Sequence, residues 1–141
     1  MTLQVRTGQG QYDILIQRGG LQSVGELFDL DRKVLVVTDD GVPESYAMTV
    51  ASQCGQAVLF VFPQGEKSKN LDTYTAMMDA LVTHEFTRSD CIVAVGGGVV
   101  GDMAGFTAAT YMRHGRLCPG QEALLGQDHH LLPGCLRNGS A

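Results

Sequence analysis

The chain is short of basic charge. Ten Lys and Arg face fifteen Asp and Glu, a formal net charge of −5, and a nucleic-acid partner needs a basic face for its phosphates. No nucleic-acid role is therefore expected. No apolar run approaches the roughly 20 residues that span a bilayer, and Met1 to Arg6 lacks a signal-peptide layout. Four cysteines (Cys54, Cys91, Cys118 and Cys135) form no C-x-x-C and no close pair, and Cys91 sits inside an apolar run as a small buried hydrophobe would. The expectation is a cytoplasmic protein with no membrane partner. Lysine is absent after Lys69, and Val, Ile and aromatics are absent from residues 114–141, so no strand is specified there. Glycine, by contrast, is abundant: 18 in 141 residues, nearly twice the usual frequency of about 7%. That surplus implies tight turns or a backbone that lies against a ligand. One domain is the size expectation.

Two short alternating segments, Leu3/Val5/Thr7 and Tyr12/Ile14/Ile16, flank Gly8 to Gly10 and predict a β-hairpin. A short helix is expected from Gly19 to Phe28. Lys33 to Thr38 is almost continuously apolar, as in a strand covered on both faces. Helix Ser45 to Gln53 and a second apolar strand, Ala57 to Phe62, follow. Pro63 to Lys69 reads as a polar loop, and Asn70 can cap a helix carrying Leu71, Tyr74, Met78, Leu81 and Val82 on one face. Met77, His84, Tyr12 and Tyr74 read as packing or helix-end residues. Strand Cys91 to Val95 then breaks into Gly96-Gly97-Gly98, and small residues resume as a tightly packed helix. Three strand–helix units in alternation mean an α/β layer with a mainly parallel sheet and flanking helices.

Ligands bind such sheets at the carboxyl ends of the strands. Three candidate segments fall there: Thr38-Asp39-Asp40, Gly65 to Lys69, and Gly96 to Asp102. A strand, a glycine turn and a helix N-terminus together form an anion site, because bare N–H groups and the positive dipole end face the ligand. A Cβ there would hold a diphosphate away from the backbone. Gly96, Gly98 and Gly101 also fit G-x-G-x-x-G. Unlike the usual dinucleotide arrangement, the turn follows a late strand, and the available acids Asp39, Asp40 and Glu66 precede it.

The string Gly96 to Asp102, with Gly105 to Arg113 after it, resembles 3-dehydroquinate synthase, and so does Pro63-Gln64-Gly65-Glu66-Lys67-Ser68-Lys69, in the pattern Pro-x-Gly-Glu-x-x-Lys. The resemblance implies a Rossmann-like domain over residues 1–113 and a role in closing the shikimate-pathway carbocycle from a heptulosonate phosphate. The implied cofactors are NAD and, in the full-length family, a divalent metal such as zinc or cobalt. It implies that Gly65, Glu66 and Lys69 serve the adenosine ribose, and that Thr38, Asp39 or Asp40 serves the adenosine end. Gly97, Gly98, Val99, Val100, Gly101 and Asp102 match contacts to the diphosphate and the nicotinamide ribose. Arg113 matches an arginine directed at the phosphate of a sugar-phosphate substrate, where a guanidinium fork binds two oxygens.

Past Arg113 the family's continuation is not found. The composition of residues 114–141 changes abruptly, and that stretch reads as a non-family tail, disordered or frameshifted, or loosely helical from Glu122 to Leu132. His129 and His130 do not have the spacing of a metal site, so no metal ligand and no catalytic residue is assigned. The C-terminal helical domain is expected to be absent, the chain alone inactive and a family-like homodimer doubtful. The sheet edge beyond Cys91 to Val95 is expected to be open. Alternative readings are a fragment of another sugar-phosphate cyclase or of a metal-dependent polyol dehydrogenase, or a non-catalytic nucleotide-binding relic.

Overall fold

The computed structural model describes residues 2–7, 10–15, 20–27, 30–87, 90–111, 121–125 and 131–132. Strands β1 (Thr2–Thr7) and β2 (Gly10–Leu15) pair antiparallel, from Thr2 opposite Leu15 to Thr7 opposite Gly10, as the hairpin pattern predicts. The expected first helix is split into a 3₁₀ turn, Gly20–Ser23, and one α-helical turn, α1 (Val24–Leu27).

The main sheet contains β3 (Lys33–Asp39), β4 (Gln56–Phe62), β5 (Cys91–Val95), β6 (Gln121–Leu125) and β7 (Leu131–Leu132) in the order β4-β3-β5-β6-β7. The first four are parallel, and β7 is antiparallel to β6. Helices α2 (Glu44–Ala51), α3 (Leu71–Thr83) and α4 (Gly98–Thr110) complete the layers.

Alternation along β3 divides the core. Val34 and Val36 join Ala47 and Val50 of α2, with Leu21, Val24 and Val93. Leu35 and Val37 turn to the other face, against Met77 and Leu81 of α3 and Val100, Met103 and Ala104 of α4. Both sets are buried because a central parallel strand is covered on both sides. Each fully buried side chain of this size contributes about 1.5–3 kcal/mol from apolar burial.

Three expectations need correction. The edge beyond β5 is not open, since Cys91 to Val95 pair with Gln121 to Leu125. An apolar edge with free N–H and C=O groups recruits even a segment of weak strand propensity, because pairing satisfies those groups. Residues 121–125 and 131–132 are strand, not loose helix. On α3 the buried residues are Met77 and Leu81, whereas Leu71 and Val82 are 75% and 64% exposed. Positions 77 and 81 stack at i and i+4, and 82 lies a further 100° around the helix.

Candidate functional site

Two connections leave the sheet in opposite senses. The chain runs from β3 through α2 to β4 on one side, and from β5 through α4 to β6 on the other. Helices α2 and α4 pack on opposite faces. Adjacent parallel strands β3 and β5 thus flank a switch in strand order, and a crevice opens beyond their carboxyl ends.

The β5 side of this crevice is backbone. Val95 ends the strand and Gly96 takes φ +154°, where a Cβ would stand 2.8 Å from Val100 Cγ2 and 3.3 Å from Val42 Cγ2. Gly97 is the N-cap of α4 and offers no side-chain cap. Its carbonyl accepts the first helical bond, from Gly101 N–H at 3.1 Å. The N–H groups of the first turn are left for whatever lies in front. Gly97 and Gly98 are exposed, and a Cβ at either would project into open space. Val100 is fully buried under Gly96, so only its backbone can address a ligand, and Val99 is half-buried.

The β3 side supplies polar groups. Thr38 and Asp39 are buried at the strand's end. Asp39 Oδ1 accepts from Gly41 N–H at 2.9 Å and shapes the turn. Asp40 is exposed, and its Oδ1 accepts from Gln64 N–H at 2.8 Å, tying this turn to the segment after β4. Thr38 Oγ1 is buried without a hydrogen-bond partner, and such an orphan costs roughly 1–3 kcal/mol until satisfied. It opens onto a groove of about 560 Å³, walled by Asp39, Val42, Pro43, Ala47, Leu59 and Val61.

The apolar wall of that groove was not visible in the sequence. Ala57 to Phe62 reads simply as a second apolar strand, but β4 is the outer strand and leaves Leu59 and Val61 43% and 50% exposed. The only available signal was the excess of apolar residues on a strand followed by a polar loop.

Pro63 to Lys69 is more ordered than a plain loop. Gly65 takes φ +108°, which favours glycine, and Glu66–Ser68 forms a 3₁₀ turn. The turn is held by Ser68 N–H to Gly65 O at 3.1 Å and Lys69 N–H to Glu66 O at 3.0 Å. Buried Ser68, which the sequence did not single out, donates its hydroxyl to Pro63 O. Asn70 caps α3 by accepting from Thr73 N–H at 2.9 Å. Glu66 and Lys69 are both exposed. Lys69 Nζ reaches across to Asp102 Oδ2 at 2.9 Å and joins the segment to α4. The hydrogen bond and charge of Asp102, with a smaller effect from Glu66, hold the Lys69 ammonium above its usual range.

The structure therefore brings Thr38, Asp39, Asp40, Gly65, Glu66, Lys69, Gly97, Gly98, Val99, Val100, Gly101 and Asp102 to the carboxyl-end rim of one sheet. Arg113, His129 and His130 lie outside the described residues. Among the described residues no three His, Cys, Asp or Glu side chains cluster to hold a metal ion. No described helix is long and apolar enough to cross a membrane.

Residues 59–129 match the family model of the 3-dehydroquinate synthase N-terminal region, a match that continues past Arg113 into β6. The chain is 50% identical over 121 residues to a 3-dehydroquinate synthase of Streptococcus suis, covering 80% of this chain and 34% of that protein. Against a 3-dehydroquinate synthase of Streptococcus thermophilus the identity is 43% with the same coverage. Among solved structures, 2-deoxy-scyllo-inosose synthase complexed with carbaglucose-6-phosphate, NAD+ and Co2+ superposes with a TM-score of 0.73 at 27% identity, over 89% of this chain and 34% of that one. The chain thus spans about a third of the length of the curated relatives it matches. On the family match and these identities together, the chain belongs to the 3-dehydroquinate synthase family.

Proposed function

We propose that this chain is the nucleotide-holding part of a 3-dehydroquinate synthase, with residues 1–113 as the NAD-binding unit. The observation that carries the reading is the uncapped start of α4, where Gly97 and Gly98 leave open space in front of the helix at the switch point. The diphosphate fits there because no Cβ intervenes and the first-turn N–H groups have no side-chain cap. Glu66 accepts from ribose hydroxyls, and Lys69 orients it. The adenosine end enters the groove beside Thr38, whose hydroxyl then gains a partner, with Leu59 and Val61 as an apolar wall. Asp102 serves the nicotinamide ribose, and Arg113 a substrate phosphate. Bound NAD supplies a hydride acceptor, and the protein's part is to hold and orient it.

The whole enzyme's reaction, cyclisation of a heptulosonate phosphate to 3-dehydroquinate with loss of phosphate, needs groups beyond this crevice. The related cyclase with Co2+ bound is about three times as long as the region matched. This chain alone is therefore inactive, and the location is cytoplasmic. NAD binds weakly, with a dissociation constant of roughly 1 mM, equivalent to about −4.1 kcal/mol. Calorimetry with NAD tests the reading. Gly98→Val should abolish measurable binding while the circular dichroism spectrum is retained; unchanged affinity would remove the glycine turn as the diphosphate site.

A further inference from the structure

Lys69 and Asp102 are both in the crevice assigned above, and they pair with each other. Asp102 follows Gly98 by four residues on α4, so the two share one face of the helix, separated by a rise of roughly 6 Å. The ammonium at 2.9 Å from Asp102 Oδ2 is thus parked one turn from the open glycine backbone. It comes from the end of a short turn pinned by Ser68 and Asn70, so the flexible part is the lysine stem and not the loop. The pair is 47% and 60% exposed. An exposed pair of this kind is worth about 0.2–1 kcal/mol, weak enough for a nucleotide's ribose and diphosphate oxygens to displace. Unpaired, the Asp102 carboxylate would repel the nearby diphosphate.

We propose that Asp102 acts as a parking counter-ion for Lys69: it clasps the Pro63–Lys69 segment to α4 in the empty protein and surrenders the ammonium to an oxygen of the incoming nucleotide. The clasp neutralises the two charges of the pair and makes nucleotide binding an exchange of one ion pair for another. This rests on the nucleotide site proposed above. Lys69 meets the nucleotide directly, and Asp102 acts through Lys69.

ADP is the probe, because it lacks the nicotinamide ribose that Asp102 would serve. Calorimetry compares the full chain with Asp102→Asn, Lys69→Gln and the double variant. If Asp102 parks the lysine, Asp102→Asn binds ADP about 1.4- to fivefold more tightly, the range that an exposed pair's energy converts to. Lys69→Gln weakens ADP, and Asp102→Asn then adds nothing in the Lys69→Gln background. An equal gain in both backgrounds would mean that Asp102 merely repels the anion, and no gain in either would mean that the pair does not compete. Either result overturns the proposal. Gly98→Val in the same series separates the two readings: if it leaves ADP binding intact, the nucleotide site itself is misplaced. Thermal unfolding of each variant reports whether it is folded.

Discussion

Val100 Cγ2 lies 2.8 Å from where a Cβ on Gly96 would stand, so the side chain that closes the core beneath the turn fixes the residue at its first position. Real Cβ contacts are not that short, and the neighbour is a buried valine packed in the sheet's second core, not a loose side-chain end. Gly96→Ala should cost about 1–3 kcal/mol from overpacking and the strained backbone together. Chemical denaturation gives the value, and a change below about 0.5 kcal/mol would show that the turn relaxes freely.

Gly98 behaves in the opposite way. Its φ is not positive and nothing lies within 4 Å of an added Cβ. Gly98→Ala should stabilise the fold by roughly 0.5 kcal/mol, since alanine loses less backbone entropy in a helix. The same substitution should weaken ADP binding severalfold, because the methyl stands in front of the first-turn N–H groups. Stability rising while affinity falls is the signature of a glycine kept for its ligand. If both fall, the glycine is there for packing.

Thr38→Val replaces a buried hydroxyl that has no partner with a group of the same shape. The ligand-free protein should become more stable by about 1 kcal/mol. Nucleotide affinity should drop, since the hydroxyl is assigned to the adenosine end. Denaturation and calorimetry on one sample check both signs, and a loss of stability would mean the hydroxyl has a partner after all.

Much of the main sheet was legible in the sequence, because β3 is almost continuously apolar, β5 is an uninterrupted apolar run, and the break from Val95 into three glycines has few other meanings. The candidate segments were legible as the ends of β3, β4 and β5, which is where the structure places them. Three things were not. The exposure of Leu59 and Val61 depends on β4 being the outer strand, and an apolar run does not record which neighbours it will have. Strand β6 follows from the free edge of β5 and not from its own residues, which read as poor strand formers. The Lys69–Asp102 pair joins segments 33 residues apart in the chain, and no local pattern encodes that.

Cys54 offers a test of the core on the α2 face. Burial pushes its thiol up to about 11 from 9.0, and the Sγ–H donates to Val50 O at 3.3 Å. The folded value is raised, so the neutral thiol's contribution to stability is fully present below pH 9.0 and is lost as pH rises toward about 11. Alkylation at pH 8, followed by mass spectrometry of the Cys54 peptide, should be at least tenfold slower in the native protein than in denaturant, because the thiolate is the nucleophile. Equal rates would mean that the end of α2 is open.

The most direct test of the central claim is a ¹H–¹⁵N correlation spectrum of the labelled 15.1 kDa chain, titrated with NAD. The account predicts shifts concentrated on the backbone of Gly97, Gly98, Val99 and Val100, on Glu66 to Lys69, and on Thr38 to Asp40, with the amino-end residues Lys33 and Cys91 unmoved. Shifts centred away from these strand ends, or none at ten millimolar NAD, an excess of about tenfold over the expected dissociation constant, would contradict it.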